Sequence, residues 1–442
     1  MSGERETFSS RFAVIMAMAG SAIGLGNIWR FPYIVGKYGG AAFIIVYILA
    51  SLILAMPIFL SESVIGRRGG AGAFGSMRRL APGTPWKWFS LLTVIAPILI
   101  LGYYCVVGGW SVQYLFKALS LDFSGSGADV TKYFSAFTGS VWKPLISHTI
   151  FVLVMAGIVL AGVKKGIEAF TKLTMPVLFV MIVIIAVFSV SLPGGGKGVE
   201  YLLRPDFSKI NAEAIAAATG QAFYSLSLGV GTILIYSSYM KKEENIISSG
   251  IGTAVSDMLF AFLAGLAIIP AVFSAGIAPS EGPGLVFETL PFIFQRMGQE
   301  GAVWISSIAA ILFFFTILTA AVTSAISMLE AGVAFLVEEA GMRRPVATIA
   351  LSLAVWAIGI LCILPFGVFD ALDSVCTTWL MPLGGLLFVI FAGWVIPSDV
   401  LREELTQGGT APFNVKIYPV VRFAIRYIAP LGLIAILLSQ LI

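Results

Sequence analysis

The sequence predicts an all-α polytopic membrane protein of about eleven transmembrane helices, arranged as an inverted five-helix repeat whose helices 1 and 6 are broken. Of its 442 residues, 58% are hydrophobic and only 11% are charged, and the mean hydropathy is +0.97. Soluble domains carry roughly a quarter charged residues, so the composition excludes a soluble fold. The apolar residues also fall into about eleven runs, of which the first and the sixth are interrupted by glycine and serine.

Each run is long enough to cross a bilayer, which needs roughly 20 apolar residues with some allowance for tilt. The predicted spans are residues 11–36, 41–66, 88–118, 147–163, 168–191, 213–239, 247–275, 302–337, 346–364, 374–396 and 418–441. Arginine and lysine lie in alternate loops, for example at Arg67, Arg68, Lys241 and Lys242. The positive-inside rule therefore predicts a protein of the cell (inner) membrane with a cytoplasmic N-terminus and, after an odd number of spans, an extracytoplasmic C-terminus.

These spans divide the chain into five parts by function. They are a cytoplasmic N-terminal gate segment (1–10), the first five-helix repeat (11–191), an extracellular loop (192–212), the second, inverted repeat (213–396), and a cytoplasmic loop with the eleventh helix (397–442).

The first span cannot form one continuous helix. Between its apolar ends lie Gly20-Ser21, Gly24-Leu25-Gly26 and Asn27, and each glycine costs about 1 kcal/mol relative to alanine in a helix interior. Free backbone groups at bilayer depth cost several kcal/mol more unless something binds them. The break therefore predicts a ligand, because broken membrane helices are tolerated where they line a cavity.

The sixth span repeats this pattern. Residues 221–231 contain Ser225, Ser227 and the sequence Gly229-Val230-Gly231 within an apolar run. Spans one and six are five apart, an odd number, so the second copy enters from the opposite side and pairs two broken helices at the midplane. The alternative is that these small residues only allow close packing of membrane helices.

The residues of these breaks resemble those of a known family, the neurotransmitter:sodium symporters, and within it the bacterial eleven-helix amino-acid symporters similar to the leucine transporter. The resemblance is carried by residues 19–32 and 221–231, by Gly-Leu-Val-Phe-Glu-Thr-Leu-Pro at 284–291, and by Thr323-Ser324. It extends over essentially the whole chain. It implies the leucine-transporter fold and sodium-driven transport by alternating access.

The resemblance implies two sodium sites built from oxygen atoms. The first would use Ala22, Asn27, Ser225 and a residue at or near Ser256, completed by the carboxylate of the substrate. The second would use the carbonyls of Gly20, Ile23 and Ala320 and the hydroxyls of Thr323 and Ser324. The alternative for those two hydroxyls is a bond to carbonyls of their own helix.

The resemblance also implies an α-amino acid as the substrate. Relatives that carry amines without a carboxylate have aspartate at the position of Gly24, so here the substrate should bring its own carboxylate. N–H groups near Leu25 and Gly26 and the Tyr104 hydroxyl would bind that carboxylate, while carbonyls of Ala22, Tyr224 and Ser225 and the Ser227 hydroxyl would bind the ammonium. The side-chain pocket would be formed by Ile100, Tyr104, Tyr224, Val230, Ser324, Ser327 and Met328. None is charged, which predicts a neutral, mostly hydrophobic amino acid, and Val230 replaces a phenylalanine of the leucine transporter, which favours bulky or aromatic substrates.

Gates and buried charges follow from the same resemblance. Arg30 with Asp373 would close the pocket from outside, and Arg5 with Glu338 and Phe8 with Tyr239 would close it from inside. Asp257 would stand in for the chloride that animal relatives bind, so no chloride requirement is expected. Glu62 is either linked to protons or a structural carboxyl, and Gly166 and Pro176 mark either a segment of the fifth span that unwinds to release sodium or a proline kink.

Other functional classes are weakly supported. A membrane enzyme would need a nucleophile with a base or a metal cluster, but His148 is the sole histidine and no Cys/His ligand spacing occurs. No basic stripe suits a nucleic acid; the expected partners are the amino acid and the lipid bilayer, and the oligomeric state is not determined by sequence. A non-transporting amino-acid sensor or an uncoupled channel of the same fold stays open, because coupling depends on the populations of two states.

Overall fold

The computed structural model describes residues 6–121, 130–276, 285–299 and 303–440, and every regular element in these ranges is a helix. Eleven helical segments, labelled α1 to α11 in chain order, correspond to the eleven predicted spans. Their bounds are α1 Arg11–Ala22 and Gly26–Lys37, α2 Ala41–Gly69, α3 Trp86–Leu119, α4 Trp142–Leu160, α5 Val163–Ser191, α6 Ala212–Ser225 and Thr232–Ser237, α7 Ile246–Ser274, α8 Val303–Glu339, α9 Arg344–Ile363, α10 Val368–Val395, and α11 Pro412–Ser439.

Nine of these helices are, within the described part of the chain, long and apolar enough to cross a membrane as single pieces. The two halves of α1 form a tenth span, bent by 71° at the break. The halves of α6 contain 14 and 6 residues, and neither is long enough to cross alone. The predicted fold class is confirmed, and the two spans that are not continuous are the two predicted to be broken.

The largest differences from the predicted boundaries lie at the starts of α10 and α11, which begin six residues earlier than predicted, and of α4 and α5, which begin five residues earlier. The α11 helix begins at Pro412 rather than 418, because the residues before 418 include Asn414 and Lys416 and so lack the hydrophobicity used to predict spans. The α5 helix begins with a π-helical turn, Val163–Glu168, that contains two lysines. Helices therefore continue beyond the apolar runs that predicted them.

The packing places both breaks at the centre of the bundle. The first half of α1 lies among α5, α7 and α8, and both halves of α6 pack along α2. The contact between α2 and α6 is close: a Cβ atom on Gly66 would lie 2.0 Å from the Leu234 carbonyl oxygen. Only glycine allows the two backbones to approach in this way.

The two ends of the bundle differ in charge. One end, which we call the basic end, carries Arg67, Arg68, Lys241 and Lys242, together with the short helix Ser398–Thr406 between α10 and α11. Arg67 and Glu404 of that short helix form an ion pair at 2.6 Å between Nε and Oε2. The opposite end, the far end, carries the short helices Val130–Thr138, Gly195–Leu203 and Leu290–Gln299.

Candidate functional site

The break in α1 frees two backbone carbonyls. Ile23 is extended (φ −72°, ψ 111°), and the helix resumes at Gly26. The Gly24 N–H, which would bond the Gly20 carbonyl in a continuous helix, donates instead to Oδ1 of Asn27 at 3.1 Å. The Asn27 N–H donates to the Gly24 carbonyl rather than to that of Ile23. The carbonyls of Gly20 and Ile23 therefore lack their helical donors and are free to bind other groups.

The break in α6 covers residues 226–231 and is supported by its neighbours. Ser227, Gly229 and Gly231 all have positive φ angles, of 52°, 81° and 70°. For serine this conformation is strained, and its hydroxyl donates to the Ser21 carbonyl in α1 at 2.8 Å. The Gly229 N–H donates to Oε1 of the buried Glu62 in α2 at 2.7 Å. Contacts with α1 and α2 therefore satisfy groups that the missing helical turn leaves open.

Four polar side chains meet beside these breaks and form what we call the Asp257 cluster: Asn27, Tyr47, Ser225 and Asp257. Nδ2 of Asn27 donates to Oδ1 of Asp257 at 2.7 Å and to the Ser225 hydroxyl at 3.0 Å. The Ser225 and Tyr47 hydroxyls donate to the carboxylate at 2.8 Å and 3.2 Å. All four side chains are buried.

The chemistry of this cluster suits a cation. No arginine, lysine or histidine among the described residues forms an ion pair with Asp257, and a buried carboxylate without a counter-charge is costly. Sodium would supply that charge, with oxygen ligands from Asp257, Ser225 and the carbonyl of Ala22. The Asn27 amide would have to turn so that its oxygen, rather than its nitrogen, faces the ion.

One predicted ligand is displaced by a single residue. The structure does not bring the Ser256 hydroxyl into the Asp257 cluster; it donates to the Gly252 carbonyl of its own helix at 2.8 Å. Consecutive residues of a helix point about 100° apart, so the adjacent Asp257 is directed to Asn27 and Ser225 instead. Asp257, the residue expected to replace chloride, thus lies at the position where Ser256 was expected to bind sodium.

A second group of oxygens, which we call the Ser324 cluster, lies between α1 and α8. The Ser324 hydroxyl is 3.0 Å from the Ile23 carbonyl oxygen and 3.4 Å from those of Gly20 and Ala320. The Thr323 hydroxyl donates to the Ala320 carbonyl at 2.9 Å. Thr323 thus donates its hydrogen bond within its own helix, which is the alternative to sodium binding given above. The shortest hydrogen bond of Ser324 instead reaches the Ile23 carbonyl at the break in α1. The structure brings together all five groups predicted for the second sodium.

A sodium ion in this cluster would take the place of the hydrogen bonds that the two hydroxyls now donate to the carbonyls. Oxygen ligands lie about 2.4 Å from Ca²⁺, an ion of nearly the same radius, so adjacent ligands in an octahedral arrangement are about 3.4 Å apart. The hydroxyl-to-carbonyl distances in the Ser324 cluster, from 2.9 to 3.4 Å, are those of hydrogen bonds, so the oxygens would move slightly apart to admit an ion. Helix α5 packs over the same place, because a Cβ atom on Gly20 would lie 3.3 Å from Sδ of Met175 and 3.4 Å from Cγ2 of Thr171.

A cavity lies between the two breaks and encloses about 450 Å³ including its opening. Eleven of the twelve residues predicted to bind the substrate form its wall: Ala22, Leu25, Gly26, Ile100, Tyr104, Tyr224, Ser225, Ser227, Val230, Ser324 and Met328. Gly24, Asn27 and Met381 complete it. No side chain in this wall is charged.

The twelfth predicted residue, Ser327, does not line the cavity. Its hydroxyl donates to the Ser324 carbonyl at 2.7 Å and accepts a hydrogen bond from Ser21 at 2.8 Å. Ser327 therefore joins α8 to α1 behind the cavity wall. Its position nearly one turn after Ser324 places it at the contact between these helices.

The Tyr104 hydroxyl is a buried donor without a hydrogen-bond partner in the described part of the chain. A Cβ atom on Gly24 would lie 3.2 Å from this hydroxyl and 2.9 Å from that of Ser324. Burying a hydroxyl without a hydrogen-bond partner costs free energy. The N-terminal turn of the second half of α1 begins beside this hydroxyl. The arrangement can bind a carboxylate, with donors from Tyr104 and from the backbone at Leu25 and Gly26.

The predicted outer gate is not closed in this structure. Arg30 and Asp373 line one large cavity at the far end, but no ion pair joins them. The Arg30 guanidinium instead lies over the Tyr224 ring, 5.6 Å from its centre. Leu25, Tyr104 and Tyr224 line both this cavity and the central one. The central cavity is therefore approached from the far end.

The basic end is closed by the segment that precedes α1. Phe8 is buried; its N–H donates to the Tyr239 carbonyl at 3.0 Å, and its ring packs edge-on against Tyr236 and Tyr239. Next to it, the Ser9 N–H donates to Oε2 of Glu168 in α5 at 3.0 Å. Arg5 lies outside the described residues, and its predicted partner Glu338 accepts a hydrogen bond from the Gly72 N–H at 2.7 Å.

Several residues of this closure are not among the predicted site residues. The Tyr239 hydroxyl donates to Glu330 at 2.6 Å, and Arg344 of α9 forms an ion pair with the same carboxylate. Glu6 accepts from the Val163 N–H at 2.8 Å at the start of α5. Glu330 lies within the apolar run 302–337. An acidic residue inside a predicted span usually has a function, so the sequence could have indicated Glu330 as a site residue. The segment from Gly166 to Pro176 is helical here, so the structure does not show it unwound.

Paired broken helices at mid-bundle, a solute cavity between them and flanking oxygen clusters define the class of ion-coupled secondary transporters. Comparisons with known proteins identify the family. A sequence model of the sodium:neurotransmitter symporter family matches residues 5–133 and 132–442, and the chain belongs to this family.

Individual relatives agree. The chain is 35% identical to an uncharacterised sodium-dependent transporter of Bacillus subtilis, over 98% of this chain and 97% of that protein. It is 28% identical to the sodium-dependent serotonin transporter of Drosophila melanogaster, over 91% of this chain and 72% of that one. Among solved structures, MhsT in complex with L-phenylalanine is similar, with a TM-score of 0.88 and 36% identity over 98% of this chain and 99% of that chain. The protein is thus a multi-pass membrane protein of a sodium-dependent transporter family with the leucine-transporter fold.

Proposed function

We propose that this protein couples an inward sodium gradient to the uptake of a neutral, hydrophobic or aromatic α-amino acid by alternating access. The observation that carries the proposal is that the central cavity and the Asp257 cluster have residues in common. Ala22, Asn27 and Ser225 line the central cavity, and Asn27 and Ser225 also belong to the Asp257 cluster. A solute carboxylate in this cavity would be close enough to complete the coordination of a sodium ion there.

Such a shared site couples the two ligands thermodynamically. If the solute supplies one ligand of the ion, each raises the affinity of the other by the same factor, and couplings of this kind are typically 1 to 3 kcal/mol. The Ser324 cluster supplies a second sodium site, built from groups of this chain. We therefore propose two sodium ions per solute, with Asp257 balancing charge so that chloride is not required.

The preference for a neutral solute follows from the uncharged wall. A charged side chain in this buried cavity would lack a counter-ion and would cost several kcal/mol. Ile100, Val230, Met328 and Met381 contribute apolar surface, and the Tyr224 hydroxyl adds a polar edge. MhsT, whose structure was solved with L-phenylalanine, supports a ligand of this size and chemistry.

The orientation is part of the proposal. We place the basic end in the cytoplasm, because arginine and lysine concentrate on that side of bacterial membrane proteins. The far end, from which the central cavity is approached, then faces outside. The N-terminus would be cytoplasmic and the C-terminus extracytoplasmic.

The decisive experiment is uptake of radiolabelled tryptophan, phenylalanine and leucine into proteoliposomes, with an inward sodium gradient or with potassium in its place. We expect accumulation above the outside concentration in sodium and none in potassium. Glutamate and lysine should not compete.

The same assay separates the alternatives. Equilibration without accumulation would indicate an uncoupled channel, and sodium-dependent binding without flux would indicate a sensor. Loss of uptake on replacing chloride with gluconate would contradict the role proposed for Asp257, and uptake of glutamate or lysine in preference to neutral amino acids would contradict the substrate class.

A further inference from the structure

A second cavity, remote from the transport site, lies at the basic end between the short helix Ser398–Thr406 and α11. It encloses about 910 Å³ including its opening. Three arginines, Arg402, Arg422 and Arg426, line it together with apolar and aromatic residues, which are Val415, Tyr418, Pro419, Phe423 and Tyr427. We call it the arginine pocket. It combines a concentrated positive charge with an apolar wall.

The three arginines have no ion-pair partner among the residues that the structure describes. Of the three acidic residues of the adjacent short helix, Glu404 pairs with Arg67 and Glu403 with Arg68, while Asp399 forms no ion pair with the three arginines. Arginine stays charged at any physiological pH. Three guanidinium groups therefore line one cavity without a carboxylate in ion-pair contact among the described residues, which favours the binding of an external anion.

Arg426 gives an independent indication of a missing acceptor. Its Nε is buried and has no hydrogen-bond partner. Its guanidinium lies 4.3 Å from the centre of the Trp394 ring, and the Trp394 indole donates to the Arg426 carbonyl at 3.1 Å. The residue is thus held in place while one of its donors is left unsatisfied, which costs free energy unless a ligand accepts the bond.

The pocket opens towards lipid. Of the nine continuous spans described, α11 is the least covered by protein, with 28% of its most apolar window buried. Phe423, Tyr427 and Trp394 are exposed around the pocket, as aromatic side chains commonly are at the level of lipid headgroups. Arg422 and Arg426, four residues apart, lie on one face of α11, and Phe423 and Tyr427, one residue further along, line the same pocket beside them.

We propose that the arginine pocket binds the phosphate of an anionic phospholipid. Arginine is suited to bidentate phosphate contacts, and basic pockets between membrane helices on the cytoplasmic side bind anionic headgroups. The acyl chains would lie against the exposed apolar surface of α11 beside Phe423. A free phosphate ion would satisfy the arginines but would leave the apolar wall unused.

The test is native mass spectrometry of the purified full-length protein titrated with phosphatidylglycerol, or with phosphatidylcholine of the same acyl chains. The double variant Arg422→Gln/Arg426→Gln removes two guanidinium groups. Lys416→Gln is the matched control, because Lys416 is exposed on the same helix and does not line the pocket. Each basic residue near anionic lipid contributes about 1 kcal/mol, so we expect phosphatidylglycerol to bind roughly thirtyfold more weakly to the double variant.

Lys416→Gln should bind phosphatidylglycerol like the unmodified protein, and phosphatidylcholine should bind weakly to all three. If the double variant fails to fold, Arg402→Gln on the exposed short helix tests the same site, with an expected loss of roughly fivefold. Equal phosphatidylglycerol binding by the variants and the unmodified protein would overturn the proposal. Displacement of the lipid by millimolar inorganic phosphate would overturn it in favour of a free-anion site.

Discussion

At the residue scale, a single buried carboxylate is central to the proposed sodium site. Asp257 accepts hydrogen bonds from three side chains, on α1, α2 and α6, and no positively charged residue among those described pairs with it. Hydrogen bonds stabilise a buried carboxylate but do not neutralise it, so a bound cation would complete the site.

Replacing Asp257 with asparagine should separate coordination from charge. The amide oxygen can still approach sodium, but the negative charge is lost, so we expect the sodium concentration for half-maximal tryptophan binding to rise at least about tenfold. Chloride should restore part of the affinity in the variant and have no effect on the unmodified protein. Scintillation proximity binding in chloride and in gluconate measures both, with Asp399→Asn on the short helix at the basic end as the control. An unchanged sodium dependence in Asp257→Asn would remove Asp257 from the ion site.

Val230 should determine the size of the accepted side chain. It is buried in the cavity wall, and phenylalanine in its place adds a ring where a large substrate side chain would lie. Because each methylene of misfit in a pocket changes binding by about 1 to 3 kcal/mol, we expect Val230→Phe to weaken tryptophan binding at least tenfold while leucine binds as well or better. Competition binding with both amino acids measures the ratio, and Val230→Ala should retain tryptophan. Equal weakening of both by Val230→Phe would indicate general damage to the cavity.

The sequence could indicate which residues gather at the site but not how each side chain is turned. A motif names a stretch of helix, and one residue further along that helix points about 100° away. This angle decides between Ser256 and Asp257, and a similar rotation turns Ser327 from the cavity towards Ser21. Met381 could not be found at all, since nothing in the local sequence of α10 marks the one residue of that helix that reaches the wall. The Arg30 and Asp373 pair depends on the conformation of the whole protein and not on local sequence.

At the scale of elements, the predictable feature is the break and the less predictable feature is what stabilises it. Glycines and serines in apolar runs were sufficient to predict that α1 and α6 are interrupted. The partners of the freed backbone groups come from distant helices, such as Glu62 of α2 for the Gly229 N–H. Span ends were predicted to within a few residues, except where helices continue into polar turns, as α11 does from Pro412.

Substitutions of Glu62 distinguish a structural carboxyl from a proton-linked one. Glu62→Gln keeps an oxygen that can accept from the Gly229 N–H, whereas Glu62→Leu removes it and leaves a buried donor unpaired, at about 1 to 3 kcal/mol. If Glu62 supports the break in α6, the glutamine variant should keep most uptake and its pH profile, and the leucine variant should lose most of both binding and uptake. Proteoliposome uptake between pH 6 and 8 provides the comparison. A glutamine variant that binds the amino acid but no longer responds to a pH gradient would assign Glu62 to proton coupling.

At the scale of the whole molecule, the two ends of the transport path are in different states. The cavity at the far end shares wall residues with the central cavity, while residues 6–9 lie across the basic end and contact α5 and the stretch just after α6. In the alternating-access mechanism that we propose, this asymmetry would correspond to the conformation open at the far end. Residues 6–9 make their contacts by hydrogen bonds and ring packing, interactions weak enough individually to be broken in each cycle.

Phe8 should be the main apolar contact of this closure. Truncating a buried phenylalanine costs about 3 to 5 kcal/mol in a packed core, and destabilising one conformation by that amount shifts a two-state equilibrium by more than a hundredfold. We therefore expect Phe8→Ala to favour opening at the basic end, with faster amide hydrogen exchange in the first turns of α5 and in residues 234–240. Apparent tryptophan affinity should fall at least tenfold, because less protein remains in the conformation open at the far end.

Phe12→Ala is the matched control, since Phe12 lies just beyond this segment, in the first turn of α1, and is 52% exposed. It should leave both exchange and affinity unchanged. Unchanged exchange in Phe8→Ala would mean that the polar contacts alone, from Ser9 to Glu168 and from Tyr239 and Arg344 to Glu330, close this end. Faster exchange without a loss of affinity would contradict the coupling of the two ends, because opening at the basic end would then not reduce the population that accepts substrate from the far end.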